Sequence, residues 1–167
     1  MSEQCDVIIL GTGAAGLTAA LAATHEGASV RIFEKSELIG GTTAMSGGII
    51  WIPNNHLQEA SGVEDSREKA LSYLESLSLG QIDSDMAATF VDNGPKMLKW
   101  IEDVTPCSFH LIHNYPDYHP EHPGGLPGGG RSVDNSLFSL PELGKWASII
   151  RGREKGSPVM LTETPLG

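Results

Sequence analysis

The chain has 167 residues, of which 40% are hydrophobic, and this is enough for one ordinary domain with a packed core. Its formal net charge is −10 and no basic cluster offsets it, so we expect no binding to nucleic acid or to an anionic membrane surface. No apolar run approaches the roughly 20 residues that span a bilayer, and the N-terminal residues lack a secretion signal, so we expect no transmembrane segment and a cytoplasmic location.

The start of the chain predicts a β-α-β unit. Cys5 to Leu10 is a short apolar run with β-branched residues that ends at a glycine, which is typical of a buried parallel strand. Residues 14–25 are rich in alanine and leucine and are followed by Gly27, which predicts a helix with a glycine stop. Residues 29–34 form the second predicted strand. A unit of this size indicates an α/β fold with a parallel sheet.

Further along, the chain predicts helices and a long loop. A helix begins near Asp65-Ser66 and continues through SREKALSYLESL, where apolar residues recur at helical spacing. Two more helices are predicted from Asp83 to about Asn93 and from Pro95 to Val104, because Gly94-Pro95 should break the run. The last segments are an alternating strand-like run from Cys107, an aperiodic loop over 114–131 and a partly helical stretch over 137–150.

The glycine motif GTGAAG separates the first predicted strand from the first helix. Gly11, Gly13 and Gly16 have the G-x-G-x-x-G spacing of a dinucleotide-binding turn. Gly11 permits the tight turn, Gly13 lets the backbone approach a pyrophosphate, and Gly16 lets the helix pack on the strand. The first-turn amides, at Ala14 and Ala15, offer free N–H groups and the positive end of the helix dipole to phosphates.

The second predicted strand ends in Glu34, which is followed by Lys35. Glu34 stands at about the distance at which a carboxylate accepts hydrogen bonds from ribose hydroxyls. The same carboxylate would repel a 2′-phosphate, which disfavours NADP. NAD and FAD both use this fingerprint, so it leaves them open, and a strand-end carboxylate that lies on a surface and binds nothing is the plain alternative.

An uncharged segment, GGTTAMSGGIIWIPNN at residues 40–55, follows the second strand. It holds four glycines and three hydroxyl residues. The glycines would let backbone amides approach a bound ring system, and the hydroxyls would supply neutral hydrogen bonds that orient it. A glycine-rich surface loop is the alternative.

These motifs resemble a known family. DVIILGTGAAGLTAALAATHEGASVRIFEK followed by GGTTAMSGG is similar to the N-terminus of the flavoproteins grouped around fumarate reductase, succinate dehydrogenase and the 3-oxosteroid dehydrogenases. GGTTAMSGGIIWIPNN and YPDYHPEHPGG are more similar to the 3-oxosteroid 1-dehydrogenase branch. The resemblance implies a Rossmann-type FAD-binding domain, whose further flavin contacts would be Gly41, Thr42, Thr43, Ser46, Gly47 and Gly48. No histidine occurs between Gly40 and Trp51, so we expect noncovalent FAD.

The resemblance also implies a catalytic role for Tyr118. In the 3-oxosteroid branch, a tyrosine in a similar Pro-Asp-Tyr context lies beside the substrate and helps a second tyrosine to act as base. The implied reaction is α,β-dehydrogenation of a 3-ketosteroid-like substrate, with hydride transfer to flavin N5. These motifs do not specify the electron acceptor. A tyrosine that merely packs over a proline-rich loop is the alternative reading of Tyr118.

Family members continue with a substrate domain, so we interpret residues 1–167 as the N-terminal part of an FAD-binding domain with an incomplete sheet. Within it, residues 1–35 would be the dinucleotide unit, residues 36–56 the flavin-contacting segment, and residues 57–150 a helical and loop insertion. Two other functions stay open. One is fumarate-reductase-like reduction of a small unsaturated acid, and the other is a non-catalytic nucleotide-binding remnant.

Two polar features of the later loop suggest weaker hypotheses. His110, His113, His119 and His122 form an H-x-x-H…H-x-x-H series that invites a metal site, but we predict solvated or loop-packing histidines and no metal. PGGLPGGGR could bind an anion through its backbone amides with Arg131 nearby, or it could be a mobile loop.

Overall fold

The computed structural model describes residues 4–152, which divide into two compact units. The first unit contains residues 4–48 and 139–152, and the second contains residues 49–138. The boundary falls inside the segment 36–56, so that segment contributes to both units, and its contact with flavin stays a prediction. Among the described residues, no helix combines the length and the apolar character needed to cross a membrane.

The first unit contains the predicted β-α-β arrangement. Strand β1 (Val7–Leu10) and strand β2 (Val30–Phe33) pair in parallel, with Val7 opposite Val30, and helix α1 (Ala14–His25) connects them. The strands begin one or two residues later than predicted, and Asp6 and Ser29, which directly precede them, bond to each other. The Asp6 carboxylate accepts from the Ser29 amide at 2.8 Å and from its hydroxyl at 2.6 Å.

One face of this small parallel sheet is bare within the described residues. Ile8 is 62% exposed and Leu10 is 82% exposed, whereas the alternate side chains Val7 and Ile9 are partly covered. Parallel sheets normally bury both faces, so a two-stranded sheet with an open apolar face agrees with the incomplete sheet that the sequence predicted.

The chain returns to the first unit at residues 139–152. Ile39 forms a parallel bridge with Ile150, through hydrogen bonds from the Ile39 amide to Ile149 and from the Arg151 amide to Ile39. Before this bridge, Leu140–Ile149 forms 3-10 turns interrupted at Gly144, which confirms the partly helical prediction. A second 3-10 turn covers Thr43–Met45.

The second unit is built around a small antiparallel sheet in the order β3-β5-β4. The strands are β3 (Ile50–Trp51), β4 (Phe109–Leu111) and β5 (Ser132–Asn135). Its helices are α2 (His56–Ala60), α3 (Arg67–Leu77) and α4 (Ser84–Val104). The sequence predicted α3 and β4 but missed the short elements β3, α2 and β5. The core of this unit consists of Leu98, Phe109, Leu111 and Val133.

Helix α4 corrects the prediction of two helices broken at Gly94-Pro95. It runs without interruption from Ser84 to Val104 with Pro95 inside it. Its buried residues have one-face spacing, and each large one contributes about 1.5–3 kcal/mol on burial, so the continuous stripe offsets the roughly 3 kcal/mol cost of an internal proline. These residues are Ala87, Val91, Gly94 and Leu98.

Candidate functional site

The glycine turn of the first unit is shaped by positions that exclude side chains. Gly11 has φ of 101°, a left-handed conformation that favours glycine. A Cβ on Gly16 would lie 2.2 Å from the carbonyl oxygen of Gly11, so helix α1 packs directly on the turn. Gly41 also has a left-handed φ, and a Cβ there would lie 3.5 Å from the Cα of Gly13. The two glycine-rich segments therefore meet backbone to backbone.

The N-terminus of α1 has the properties of an anion site. Its N-cap, Gly13, supplies no side-chain cap, and its first turn contains no acidic residue. The Ala14 amide donates to the hydroxyl of Thr43 at 3.1 Å, which ties the segment after β2 to the helix end. Because no N-cap side chain binds the first turn, the amides near Ala15 and Gly16 keep their capacity to bind a phosphate.

Glu34 is tied to the glycine turn by three hydrogen bonds. Its carboxylate accepts from the Thr12 amide at 3.0 Å, from the Thr12 hydroxyl at 2.6 Å and from the Ser36 amide at 3.1 Å. The bond from the Thr12 side chain is the main cause that lowers the pKa of Glu34 to about 2. The Thr12 hydroxyl in turn accepts from the Gly40 amide at 2.8 Å. Glu34 is therefore ionised and joins both glycine-rich segments.

These groups border a cavity of about 570 Å³ in the first unit. It brings together five of the residues predicted to hold the cofactor, namely Gly11, Gly13, Glu34, Lys35 and Gly41, with Leu10, Thr12 and Phe33 completing the lining. Open backbone amides, a glycine cradle and an ionised carboxylate fit a dinucleotide with its phosphates at the helix end.

The predicted flavin contacts that follow Gly41 lie in or beside the 3-10 turn. The Ser46 hydroxyl donates to the Thr43 carbonyl at 2.8 Å and accepts from the Gly48 amide at 3.2 Å, so both of its hydrogen bonds stabilise the backbone of the turn. Thr42 and Gly47 are exposed. Their contact with a flavin stays a prediction.

A second cavity, of about 320 Å³, lies wholly within the second unit and is mostly apolar. Tyr118 is on its wall and is 82% exposed. The Tyr118 hydroxyl lies 3.5 Å from that of Tyr115, and the Tyr118 hydrogen bond is the main cause that raises the pKa of Tyr115. The other lining residues are Ile49, Trp51, Tyr73, Leu74, Leu77, Pro116, Asp117, His119 and Ser132.

A buried arginine supports this cavity. Arg131 is 1% exposed and is flanked by two rings, with its guanidinium carbon 5.4 Å from the Trp51 ring centroid and 5.6 Å from that of Tyr73. It donates to Asp65 at 2.8 and 2.6 Å and to Asp117 at 2.9 Å. Burial favours the neutral form of Asp65, yet the Arg131 contacts outweigh it and hold the pKa of Asp65 below its ordinary value.

The position of Arg131 therefore corrects the hypothesis that it assists an anion site in PGGLPGGGR. Its guanidinium is enclosed and bonded to two carboxylates, and the two glycines directly before it, Gly129 and Gly130, are packed against neighbouring atoms. A Cβ on Gly129 would lie 2.7 Å from the carbonyl oxygens of His113 and Tyr115. The Tyr-x-x-Tyr spacing could have revealed Tyr115 from the sequence, whereas no local signal links Arg131 to Asp65.

Comparisons with known proteins identify the family of this chain. The family model described as FAD binding domain matches residues 6–155. The 3-oxosteroid 1-dehydrogenase of Mycobacterium tuberculosis (strain ATCC 25618 / H37Rv) is 41% identical over 142 residues, which are 85% of this chain and 25% of that protein. The 4-oxocyclohexanecarboxylate 2-dehydrogenase of Sinomonas cyclohexanicum is 39% identical over 138 residues, 83% of this chain and 24% of that protein. This chain spans about a quarter of the length of these relatives.

A solved structure shows the same fold. The 3-ketosteroid delta1-dehydrogenase from Sterolibacterium denitrificans, in complex with 1,4-androstadiene-3,17-dione, aligns with a TM-score of 0.84 at 36% identity. The alignment covers 90% of this chain and 26% of that chain. The α/β arrangement described above is therefore that of a Rossmann-type FAD domain.

Proposed function

Because this chain belongs to the FAD binding domain family, its cofactor is FAD, and we propose that the full-length protein is a dehydrogenase of 3-ketosteroids. The proposed reaction is an α,β-dehydrogenation, in which one ring carbon beside the ketone loses a proton and the next carbon loses a hydride. Bound FAD supplies the hydride acceptor, N5 of its ring system. The residues described here would form the N-terminal part of its FAD-binding domain.

The observation that carries this proposal is the apolar cavity of the second unit with Tyr118 on its wall. Trp51, Leu74 and Leu77 give it walls suited to an apolar ring system, and the tyrosine hydroxyls are polar groups that can orient a ketone. An apolar substrate gains affinity from burial in such walls.

Tyr118 and Tyr115 would have different roles in the removal of the substrate proton. A phenol at its ordinary pKa of about 10 is a poor base at neutral pH, so a group that removes the substrate proton needs a partner to share it. We assign Tyr118 to the substrate side of this proton transfer. The raised pKa of Tyr115 keeps its hydroxyl protonated, so Tyr115 can donate a hydrogen bond to Tyr118.

The first unit supplies the groups that would hold FAD. We assign the pyrophosphate to the glycine turn and helix end, at Gly11, Gly13, Ala14, Ala15 and Gly16. Glu34 and Lys35 would face the ribose. The ring system would lie along Gly41, Thr42, Thr43, Ser46, Gly47 and Gly48.

The charge of the second cavity favours a neutral ketone over an oxo-acid. A substrate carboxylate needs a cationic partner, and among the described residues that line this cavity His119 is the one basic side chain. Arg131 is close by, but Asp65 and Asp117 neutralise it. We therefore favour a steroid-like ketone over 4-oxocyclohexanecarboxylate and over a small unsaturated acid.

Turnover by the full-length protein tests this proposal. Purified protein with FAD is assayed with a 3-ketosteroid, with 4-oxocyclohexanecarboxylate and with fumarate, the dehydrogenations with an artificial electron acceptor. We expect 3-ketosteroid dehydrogenation, and Tyr118→Phe should lower kcat by about 100-fold while the flavin absorbance is retained. Unchanged turnover in Tyr118→Phe would remove Tyr118 from the site, and turnover of either acid alone would overturn the steroid assignment.

The proposal also places the protein in the cytoplasm. Cys5 and Cys107 are free thiols, and free thiols persist in a reducing compartment. Fractionation of the producing cells, followed by immunodetection, checks this location.

A further inference from the structure

The turn His119-Pro120-Glu121-His122 gathers three side chains with metal-binding atoms. One ligand atom from each of His119, Glu121 and His122 lies within 4.8 Å of the other two. Nδ1 of His119 is 3.3 Å from the Glu121 carboxylate, and the two imidazole centroids are 5.5 Å apart. All three groups belong to the second unit.

The backbone organises this turn in advance. The His122 amide donates to the His119 carbonyl at 3.0 Å, with Pro120 in the second position, where proline favours a tight turn. The His119 amide also donates to the Tyr73 hydroxyl at 3.2 Å. A Cβ on Gly125 would lie 2.7 Å from the Pro120 carbonyl oxygen, so the following segment packs against the turn.

We propose that this turn binds one divalent transition-metal ion of the zinc class through His119, Glu121 and His122. Two imidazoles and one carboxylate form a ligand set that Zn²⁺ accepts, with a fourth position left for water. Ligand atoms at about 2.1 Å from a tetrahedral ion lie roughly 3.4 Å apart. His119 and Glu121 are exposed, so small side-chain rotations are free to bring their ligand atoms to this spacing.

A neighbouring hydroxyl supports the site. Oγ of Ser76 lies 3.2 Å from Nδ1 of His122, and Ser76 itself donates to the Tyr73 carbonyl at 2.8 Å. An outer hydrogen bond of this kind fixes the orientation of a ligating imidazole. Nitrogen ligands with a single carboxylate also disfavour Mg²⁺, which prefers oxygen.

The proposed site would revise the prediction of solvated or loop-packing histidines for His119 and His122, but not for His110 and His113. His110 lies on β4 with its ring 2.7 Å from the Ser136 hydroxyl, and His113 is an exposed residue after the strand. Neither belongs to the cluster of the turn. His113 is therefore a matched control in the same unit.

Zinc binding by the full-length flavoprotein tests the proposal independently of its dehydrogenase activity. The protein is stripped with EDTA and titrated with ZnCl₂ by calorimetry. Wild type should bind one more equivalent than the double variant His119→Ala/His122→Ala, and each single variant should lose at least about tenfold in affinity at this site. His113→Ala should match wild type, and MgCl₂ in place of ZnCl₂ should give no equivalent that depends on these histidines.

A second variant separates ligand loss from misfolding. His122→Gln retains a side-chain amide that can bond to Ser76 but lacks the imidazole. It should bind FAD and unfold like wild type while losing the same zinc equivalent. Equal zinc stoichiometry in wild type and the double variant, loss of this equivalent in His113→Ala, or Mg²⁺ binding that depends on His119 would overturn the proposal.

Discussion

The guanidinium of Arg131 donates to the Asp117 carboxylate at 2.9 Å, immediately next to Tyr118 in the chain. Asp117 also closes the base of its loop, because its amide donates to the Leu126 carbonyl and its carboxylate accepts from the Leu126 amide. One buried cation therefore holds the loop that carries the proposed substrate tyrosine.

Replacing this cation should be strongly destabilising. Arg131→Met keeps much of the side-chain volume but leaves Asp65 and Asp117 buried without their partner. We expect a loss of about 3–5 kcal/mol in the free energy of unfolding, because an uncompensated buried charge is costly. Urea unfolding of the full-length protein measures it.

Arg67→Met is the matched control for Arg131→Met. Arg67 bonds to Asp92 at 2.6 Å, but both side chains are more than 40% exposed. An exposed ion pair contributes little to stability because water screens it, so this variant should remain close to wild type. An equal loss of unfolding free energy in the two variants would show that burial of the Arg131 ion pairs does not cause the destabilisation.

Glu34 should make the stability of the first unit depend on pH. Its pKa is lowered from 4.5 to about 2, chiefly by the Thr12 side chain, so folding favours the ionised form. This contribution is complete above about pH 4.5 and is lost as pH falls towards about 2.

Unfolding of wild type and Glu34→Gln across this range tests that dependence. The stability advantage of wild type should be constant near neutral pH and shrink on acidification below about pH 4.5. Glu37→Gln, which changes an exposed carboxylate of the same unit, serves as the control. An advantage that grows on acidification would contradict the bonding described for Glu34.

The substitution Gly47→Ala tests whether the flavin lies against this position. A Cβ added there meets no protein atom within 4 Å, and its φ is not left-handed, so Gly47→Ala should leave the stability of the FAD-free protein unchanged. If a flavin packs against this position, the added methyl should weaken FAD binding by about tenfold, or roughly 1.4 kcal/mol. Equilibrium titration of FAD-free protein with FAD measures it.

Two further glycines calibrate the Gly47 experiment. Gly128→Ala adds a methyl to equally open space in the second unit and should change neither stability nor FAD affinity. Gly16→Ala places a methyl 2.2 Å from the Gly11 carbonyl oxygen and should destabilise even the FAD-free protein. FAD affinity in Gly47→Ala equal to that in Gly128→Ala would remove Gly47 from the cofactor site.

The flavin should be released when the protein is denatured. The segment from Gly40 to Trp51 contains no histidine that could attach it covalently. After acid precipitation of the full-length protein, we expect the flavin absorbance in the supernatant and a colourless pellet. A pellet that stays yellow after washing would contradict noncovalent binding.

The β-α-β unit could be predicted from the sequence because its signals are local. The apolar strands, the alanine-rich helix and the glycine turn all lie within one short stretch, and each residue type is demanded by its own backbone conformation or by close packing, as at Gly11 and Gly16. Helix α4 shows the limit of local rules. Pro95 predicted a break, but buried side chains on both sides of it pack on one face and keep the helix continuous.

The sequence by itself determined the dinucleotide type of the cofactor and the conformation of the glycine turn, because backbone conformation and helix-end amides are properties of neighbouring residues. Only the tertiary structure decided the use of Arg131, which the sequence offered as an anion contact. Its partner Asp65 is 66 residues away in the sequence. Arginine is usually exposed, but Arg131 is buried between the Trp51 and Tyr73 rings and stabilises the second unit from within. Long-range pairs of this kind depend on which segments pack together, and that is settled by the burial of the whole unit rather than by any local pattern.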